Sequence, residues 1–177
     1  MSISTAAQVD RSFDEFVVAG STRLLRSAYL LCGDRQEAEE LLQVALVRVA
    51  RHWERARRAP DAYAYRVLVN LAHDRSRRAR RRLSTLPLPA RDGPADTADP
   101  AQGVADREVI TQALAQLPVR QRQAVTLRFL ADLSVDQTAA AMGTSPGAVK
   151  THTSRALAHL REVLTDIPSP SEARRAH

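Results

Sequence analysis

Little in this chain is suited to holding a metal, a disulfide or a lipid bilayer. Of its 177 residues only Cys32 is a cysteine. That excludes an internal disulfide, and with five scattered histidines no Cys/His spacing resembles a zinc site. Cys32 is expected to be a small buried apolar group. Lysine is almost missing too: of 26 Lys and Arg residues, Lys150 alone is lysine, a bias that with the abundant alanine fits a GC-rich genome. No segment approaches the ~18 apolar residues of a membrane span, and MSISTAAQVDRSFDEF carries no basic stretch followed by an apolar run, so the expected location is cytoplasmic. There is no phosphate-binding glycine loop and no nucleophile, base and orienting residue in a set. Neither enzymatic activity nor a cofactor or metal is expected.

What is present is helix-forming sequence and positive charge. Apolar residues make up 44% and charged residues 26%, an ordinary globular balance, with a formal net charge of +6. Such a balance favours a polyanionic partner. The charge is densest in HDRSRRARRR, residues 73–82, which holds six arginines. Apolar positions recur at three and four rather than alternating, which makes the fold class all-α. A first helix is expected from Ser12, with Glu15 completing a capping box, Phe13, Phe16, Val17, Leu24, Ala28 and Leu31 inward, and Gly33 as its stop. A second begins at Asp34 with Glu37 and buries Ala38, Leu41, Leu42, Ala45, Val49 and Trp53. A third covers about 61–82, with Ala64, Tyr65, Leu68, Leu71 and Ala72 as its apolar side.

Residues 83–103 change character, with four of the nine prolines, three aspartates and no helical period. They read as a flexible linker between two small helical domains, 10–82 and 104–166, followed by a disordered tail at 167–177. After the linker, Val109, Ile110, Ala113, Leu114 and Leu117 share a face, and Pro118 opens the next helix. The most specific local pattern starts at Ser134, which with Gln137 forms a capping box for VDQTAAAM; Gly143 can supply the left-handed residue ending that helix. Thr144 or Ser145 then caps another helix, with Pro146 in its first position. In that last helix Val149, Thr153, Ala156, Leu157, Leu160 and Leu164 form the core side. Gly147, Thr151, Ser154 and Ala158 lie opposite, flanked by Lys150, Arg155 and Arg161. Small hydrogen-bonding residues flanked by cations suit a helix lying in the major groove, so the C-terminal domain reads as a helix-turn-helix.

The stretches EAEELLQVALVRVARHW and AYAYRVLVNLAHDRSRR, followed by LPVRQRQAVTLRFLADLSVDQTAAAMGTSPGAVKTHTSRALAHLR, resemble regions two and four of bacterial extracytoplasmic-function (ECF) sigma factors of RNA polymerase, in family order and over most of the chain. The resemblance implies a specificity subunit that binds core RNA polymerase, recognises promoter DNA as duplex and as melted non-template strand, and assists melting. It implies that Glu39, Glu40 and Gln43 dock on the clamp helices of the largest polymerase subunit. Asn70, Asp74, Arg75, Arg77 and Arg78 then serve the minus-ten element, where a base is flipped from the stack. Ser145, Gly147, Lys150, Thr151, Ser154 and Arg155 serve the minus-thirty-five duplex, and apolar residues at 117–130 meet the polymerase flap. An anti-sigma factor is a further implied partner, with no membrane insertion by the chain itself. Tyr63, Tyr65 and Trp53 offer rings for stacking, although Tyr65 and Trp53 fit the core pattern. Glu40, Val44 and Leu46 stand where the family more often has Asp, an acidic residue and Phe. Thr151 and His152 replace its Ser-Arg pair.

Two other classes compete. VKTHTSRAL is similar to the recognition helix of LuxR-type regulators, and a stand-alone dimeric regulator accounts for the C-terminal half but leaves the acidic second helix and the 70–82 face without a task. A helix binding RNA or an anionic membrane accounts for HDRSRRARRR alone, and the third helix lacks the bulky apolar stripe that insertion favours.

Overall fold

The computed structural model describes residues 3–83 and 102–165, with side chains at 12–78, 81 and 109–164. Among the described residues there are eight α-helices, one π-helical turn and no strand. The elements are α1 (Ile3–Cys32), α2 (Arg35–Arg51), α3 (Trp53–Ala56), α4 (Pro60–Leu83), α5 (Gln102–Gln116), α6 (Val119–Val125) running into the π-turn Thr126–Leu130, α7 (Val135–Met142) and α8 (Pro146–Thr165). The expected 83–103 linker is trimmed at both ends, because Leu83 closes α4 and Gln102 opens α5. Residues 84–101 and the expected tail at 167–177 lie outside the described residues.

The helix ends follow local chemistry. Gly33, at φ 82°, donates its N–H to Tyr29 O at 2.7 Å and stops α1. One residue later the Asp34 carboxylate accepts the Glu37 N–H at 2.6 Å and starts α2. Ser12, however, is not a cap, since α1 already begins at Ile3. Its hydroxyl accepts instead from the Trp53 indole N–H at 3.1 Å. The chain breaks at His52, so Trp53 belongs to the short α3 rather than to α2. Its ring meets Phe13 edge-on at 5.3 Å and Phe16 at 5.7 Å, an arrangement favoured by the ring quadrupoles.

In α2, Ala38, Leu41, Ala45 and Val49 are buried at the 3.6-residue period, and in α4 Ala64, Tyr65, Leu68 and Ala72 answer them. Arg23 on α1 pairs with Asp61 at the start of α4 at 2.6 Å. Two expected core residues stand outside: Ile110 is 47% exposed and Leu164 45%. The C-terminal helices do not stand apart from the N-terminal ones. Helix α7 packs on α4, and α1 touches α5, α6 and the π-turn.

Candidate nucleic-acid and polymerase interface

The helix-turn-helix is built by its caps. Ser134 Oγ accepts the Gln137 N–H at 3.1 Å while the Gln137 side chain accepts the Ser134 N–H at 2.7 Å, so α7 starts with both halves of a capping box. Gly143 at φ 61° takes the left-handed conformation that ends α7. Ser145 Oγ, two residues after the glycine, then accepts the Ala148 N–H at 3.2 Å, which fixes the start of α8 at Pro146. Ala139 and Met142 of α7 and Val149 of α8 are buried in one cluster, which packs the two helices together, while Ala156 of α8 is buried against Leu114, Leu117 and Val125.

That packing decides what α8 shows. Ser145, Gly147, Lys150, Thr151, Ser154 and Arg155 are all exposed, together on the side away from Val149 and Ala156. A Cβ built on Gly147 would meet nothing closer than Ser145 Oγ at 4.0 Å. The glycine is therefore not demanded by the fold, and its effect is to keep the N-terminal turn bare. Thr151 Oγ1 donates to Gly147 O at 3.0 Å, which fixes the hydroxyl and leaves its lone pairs outward.

The α4 residues divide. Asn70, Asp74, Arg77 and Arg78 are exposed, and Asn70 and Asp74, four apart, share one side of the helix. Arg75 is engaged by a neighbouring helix at the surface: its guanidinium contacts Glu40 at 2.5 Å and Glu37 at 3.6 Å. Its pKa is raised, first by the hydrogen bond to Glu40. The Glu37 carboxyl is pushed up, because burial outweighs the attraction of Arg75. Arg75 thus braces α4 against α2, while Arg77 and Arg78 reach into solvent. Of the polymerase candidates, Glu40 is the partner of Arg75, Glu39 pairs with Arg35 at 3.2 Å, and Gln43 is exposed.

Trp53 and Tyr65 are core residues, 5% and 1% exposed. Tyr63 is half-buried, edge-on to His52 at 6.3 Å. Cys32 is half-buried, with its thiol pushed up to about 11 by desolvation, which disfavours the reactive thiolate. Reading the sequence missed Val44 and Val47, exposed on α2 at 43% and 51%. They fall opposite the buried stripe, on the same side as Glu40 and Gln43. Apolar residues off the core period were the available signal. Phe129, 58% exposed on the π-turn, makes a second apolar projection, at the kind of helix irregularity that recurs at functional sites. Among the described residues no cluster of His, Cys, Asp and Glu could hold a metal ion, and no helix is long and apolar enough to cross a membrane.

The helix bearing Asn70 and the helix-turn-helix correspond to two known domains. The family model for Sigma-70 region 2 matches residues 17–82, and that for Sigma-70 region 4 matches 107–160. An RNA polymerase sigma-E factor of Streptomyces coelicolor is 40% identical over 157 residues, covering 86% of this chain and 85% of that protein. An ECF RNA polymerase sigma factor SigM of Mycobacterium tuberculosis is 31% identical over 155 residues, covering 86% and 77%. The fold matches the sigma factor RpoE in complex with the anti-sigma factor NepR from Bartonella quintana at TM-score 0.66, with 23% identity and 87% and 97% of the two chains covered. It matches CnrH in complex with the cytosolic domain of CnrY at the same score, with 22% identity and 92% and 96% covered. A two-part, all-helical chain ending in a helix-turn-helix, with a family match on each part, defines an RNA polymerase specificity subunit. The chain belongs to the ECF family of RNA polymerase sigma factors. The region 2 match over residues 17–82 removes the LuxR-type alternative, which gave this half no role.

Proposed function

We propose that the chain binds core RNA polymerase through residues 10–82, using the outward side of α2, and reads promoters at two points. Glu39, Glu40 and Gln43 make the polar part of the contact with the clamp helices of the largest subunit, and the exposed Val44 and Val47 extend it with an apolar centre. Asn70 and Asp74 face a base flipped from the minus-ten non-template strand, and Arg77 and Arg78 hold the adjoining phosphates. Arg75 acts one step back, by fixing the angle between α2 and α4 through Glu37 and Glu40.

Residues 104–166 carry the second reading point. Helix α8 enters the major groove of the minus-thirty-five duplex with its bare Gly147 turn, and Lys150, Thr151, Ser154 and Arg155 meet base edges and phosphates. Phe129 and its neighbours face the polymerase flap. The chain has no catalytic activity of its own, since nucleotide chemistry belongs to the polymerase, and it works in the cytoplasm. An anti-sigma protein is a fitting regulator, as solved chains of this fold are held by NepR and by the cytosolic domain of CnrY.

The observation that carries this reading is the two family matches in order, each on a helical block that leaves its candidate residues other than Arg75 exposed. Multi-round transcription by core polymerase on a promoter library, with and without the chain, tests it. Initiation from a defined subset of promoters only when the chain is present is the expected result. A chain that binds duplex alone and never confers initiation would defeat it.

A further inference from the structure

Helix α1 grips the connection between α3 and α4 on both sides. Only Arg57, Arg58 and Ala59 join α3, which ends at Ala56, to α4, which starts at Pro60. Before the connection, Trp53 donates its indole N–H to Ser12 Oγ at 3.1 Å, and its ring lies against Phe13 and Phe16 with centroids 5.3 and 5.7 Å away. After it, the Arg23 guanidinium meets Asp61 Oδ1 at 2.6 Å in the first turn of α4. Ser12 and Arg23 are eleven residues apart on one helix, a span of about 16 Å. One continuous element therefore fixes both stems of a three-residue connection. Its own backbone leaves little slack, because Arg57 N–H donates to Trp53 O at 2.7 Å, Ala59 N–H to Ala56 O at 2.9 Å and Tyr63 N–H to Ala59 O at 3.1 Å. A shift at Trp53 is passed on to α4.

Two features point past stability to alignment. Ser12, Phe13 and Phe16 precede residues 17–82 matched by the region 2 model, so the family match gives them no role. The Arg23 and Asp61 side chains are 49% and 47% exposed, and a pair that exposed contributes little to stability. What it supplies is direction. Further along, α4 is held by Arg75 on Glu37 and Glu40 of α2, and Asn70 lies between the two pins, five residues before Arg75. Five helical residues span about 7 Å. With the Asp61 end released, a swing of about 10° around Arg75 carries Asn70 by about 1 Å, whereas a recognition contact has to be held to within about 0.5 Å.

We propose that Arg23, and Ser12 acting through Trp53, are positioning residues for minus-ten reading: α1 sets the entry of α4 and so the place of Asn70 and Asp74 against the flipped base. Arg23 acts through Asp61 and Ser12 through the Trp53 ring, and neither has a DNA contact of its own. The proposal rests on the assignment of Asn70 and Asp74 to the minus-ten strand made above.

The test assembles the full chain with core polymerase as wild type, Arg23→Ala, Arg23→Lys, Ser12→Ala and Asn70→Ala. Transcription is measured on a promoter selected by the wild-type holoenzyme and on single-base replacements in each of its two elements, with circular dichroism for helicity and titration for core affinity. Arg23→Ala and Ser12→Ala are each expected to shrink discrimination at the minus-ten element about fivefold. Discrimination at the minus-thirty-five element, helicity and core affinity should stay as in the wild type. Arg23→Lys, which keeps a cation opposite Asp61, should retain most of the minus-ten discrimination. Unchanged minus-ten discrimination in either alanine variant overturns the role of that residue, and an equal loss at both elements overturns the proposal, since that is the mark of a loosened fold. Asn70→Ala separates the two ideas. A wild-type minus-ten preference in that variant defeats the reading of α4 on which the proposal rests; a changed preference there, with wild-type behaviour in Arg23→Ala and Ser12→Ala, defeats the positioning role alone.

Discussion

Replacing Arg77 and Arg78 together by alanine tests the single-strand role of α4, because the structure separates these two from Arg75. Both are exposed, whereas Arg75 is committed to Glu37 and Glu40. Each phosphate neutralised contributes about 0.7 to the slope of log affinity against log salt on single strands and about 0.9 on duplex. Loss of two contacts to a melted strand therefore lowers the slope by about 1.4, and loss of two duplex contacts by about 1.8. Between 50 and 200 mM salt a change of 1.4 shrinks the ratio of wild-type to variant affinity by about sevenfold. The assay is equilibrium binding of holoenzyme to two templates, one with a melted minus-ten region and one fully duplex, at four or five salt concentrations. The slope should fall by about 1.4 on the melted template and change little on the duplex. Equal changes on both, or no change on either, would refute the assignment. Arg75→Ala serves as the internal control, with a smaller slope change than either exposed arginine alone and a loss of helix-to-helix order instead.

Other outcomes follow from single sites. Exchanging Lys150 for Gln should alter the minus-thirty-five preference by roughly 1 to 3 kcal/mol at one base position, read by selection from a randomised library; an unchanged profile would remove it from the readout face. Ser134→Ala breaks the capping box and should cost about 1 kcal/mol, or a fall in Tm of about 3 °C, with the helix-turn-helix losing amide protection first. Trp53→Ala empties the cluster with Phe13 and Phe16 and should cost about 3–5 kcal/mol by denaturant melts, with little direct effect on DNA contacts. Cys32, its thiol pushed up to about 11, is protonated at pH 8 and should alkylate far more slowly than a free thiol, catching up once the chain is unfolded; equal rates would contradict its burial.

What could be read from sequence was mostly local. Asp34, Ser134 and Gly143 announced their helix ends because a cap is decided within four residues, and the period of α2 and α4 gave their buried sides directly. The exposed face of α8 followed from the same arithmetic. Ser12 misled because its hydroxyl is used by Trp53, 41 residues away, and no local rule carries that information. The division between Arg75 and its neighbours Arg77 and Arg78 also depends on where another helix places Glu37 and Glu40. The seam between the halves was hidden for the same reason: Gln123 reads as an ordinary polar residue of a short helix until Val69 is opposite it. Val44 and Val47 were legible as apolar residues off the core stripe, and what obscured them was comparison with a family pattern that has an acidic residue at 44.

The central claim, that one chain holds two promoter elements at once, is tested most directly by site-specific photocrosslinking in the open complex from positions 70 and 150. Position 70 should label the minus-ten non-template strand, and position 150 the minus-thirty-five duplex, in the same complexes and only with core polymerase present. Labelling of one element from both positions, or equal labelling by the chain without polymerase, would contradict it.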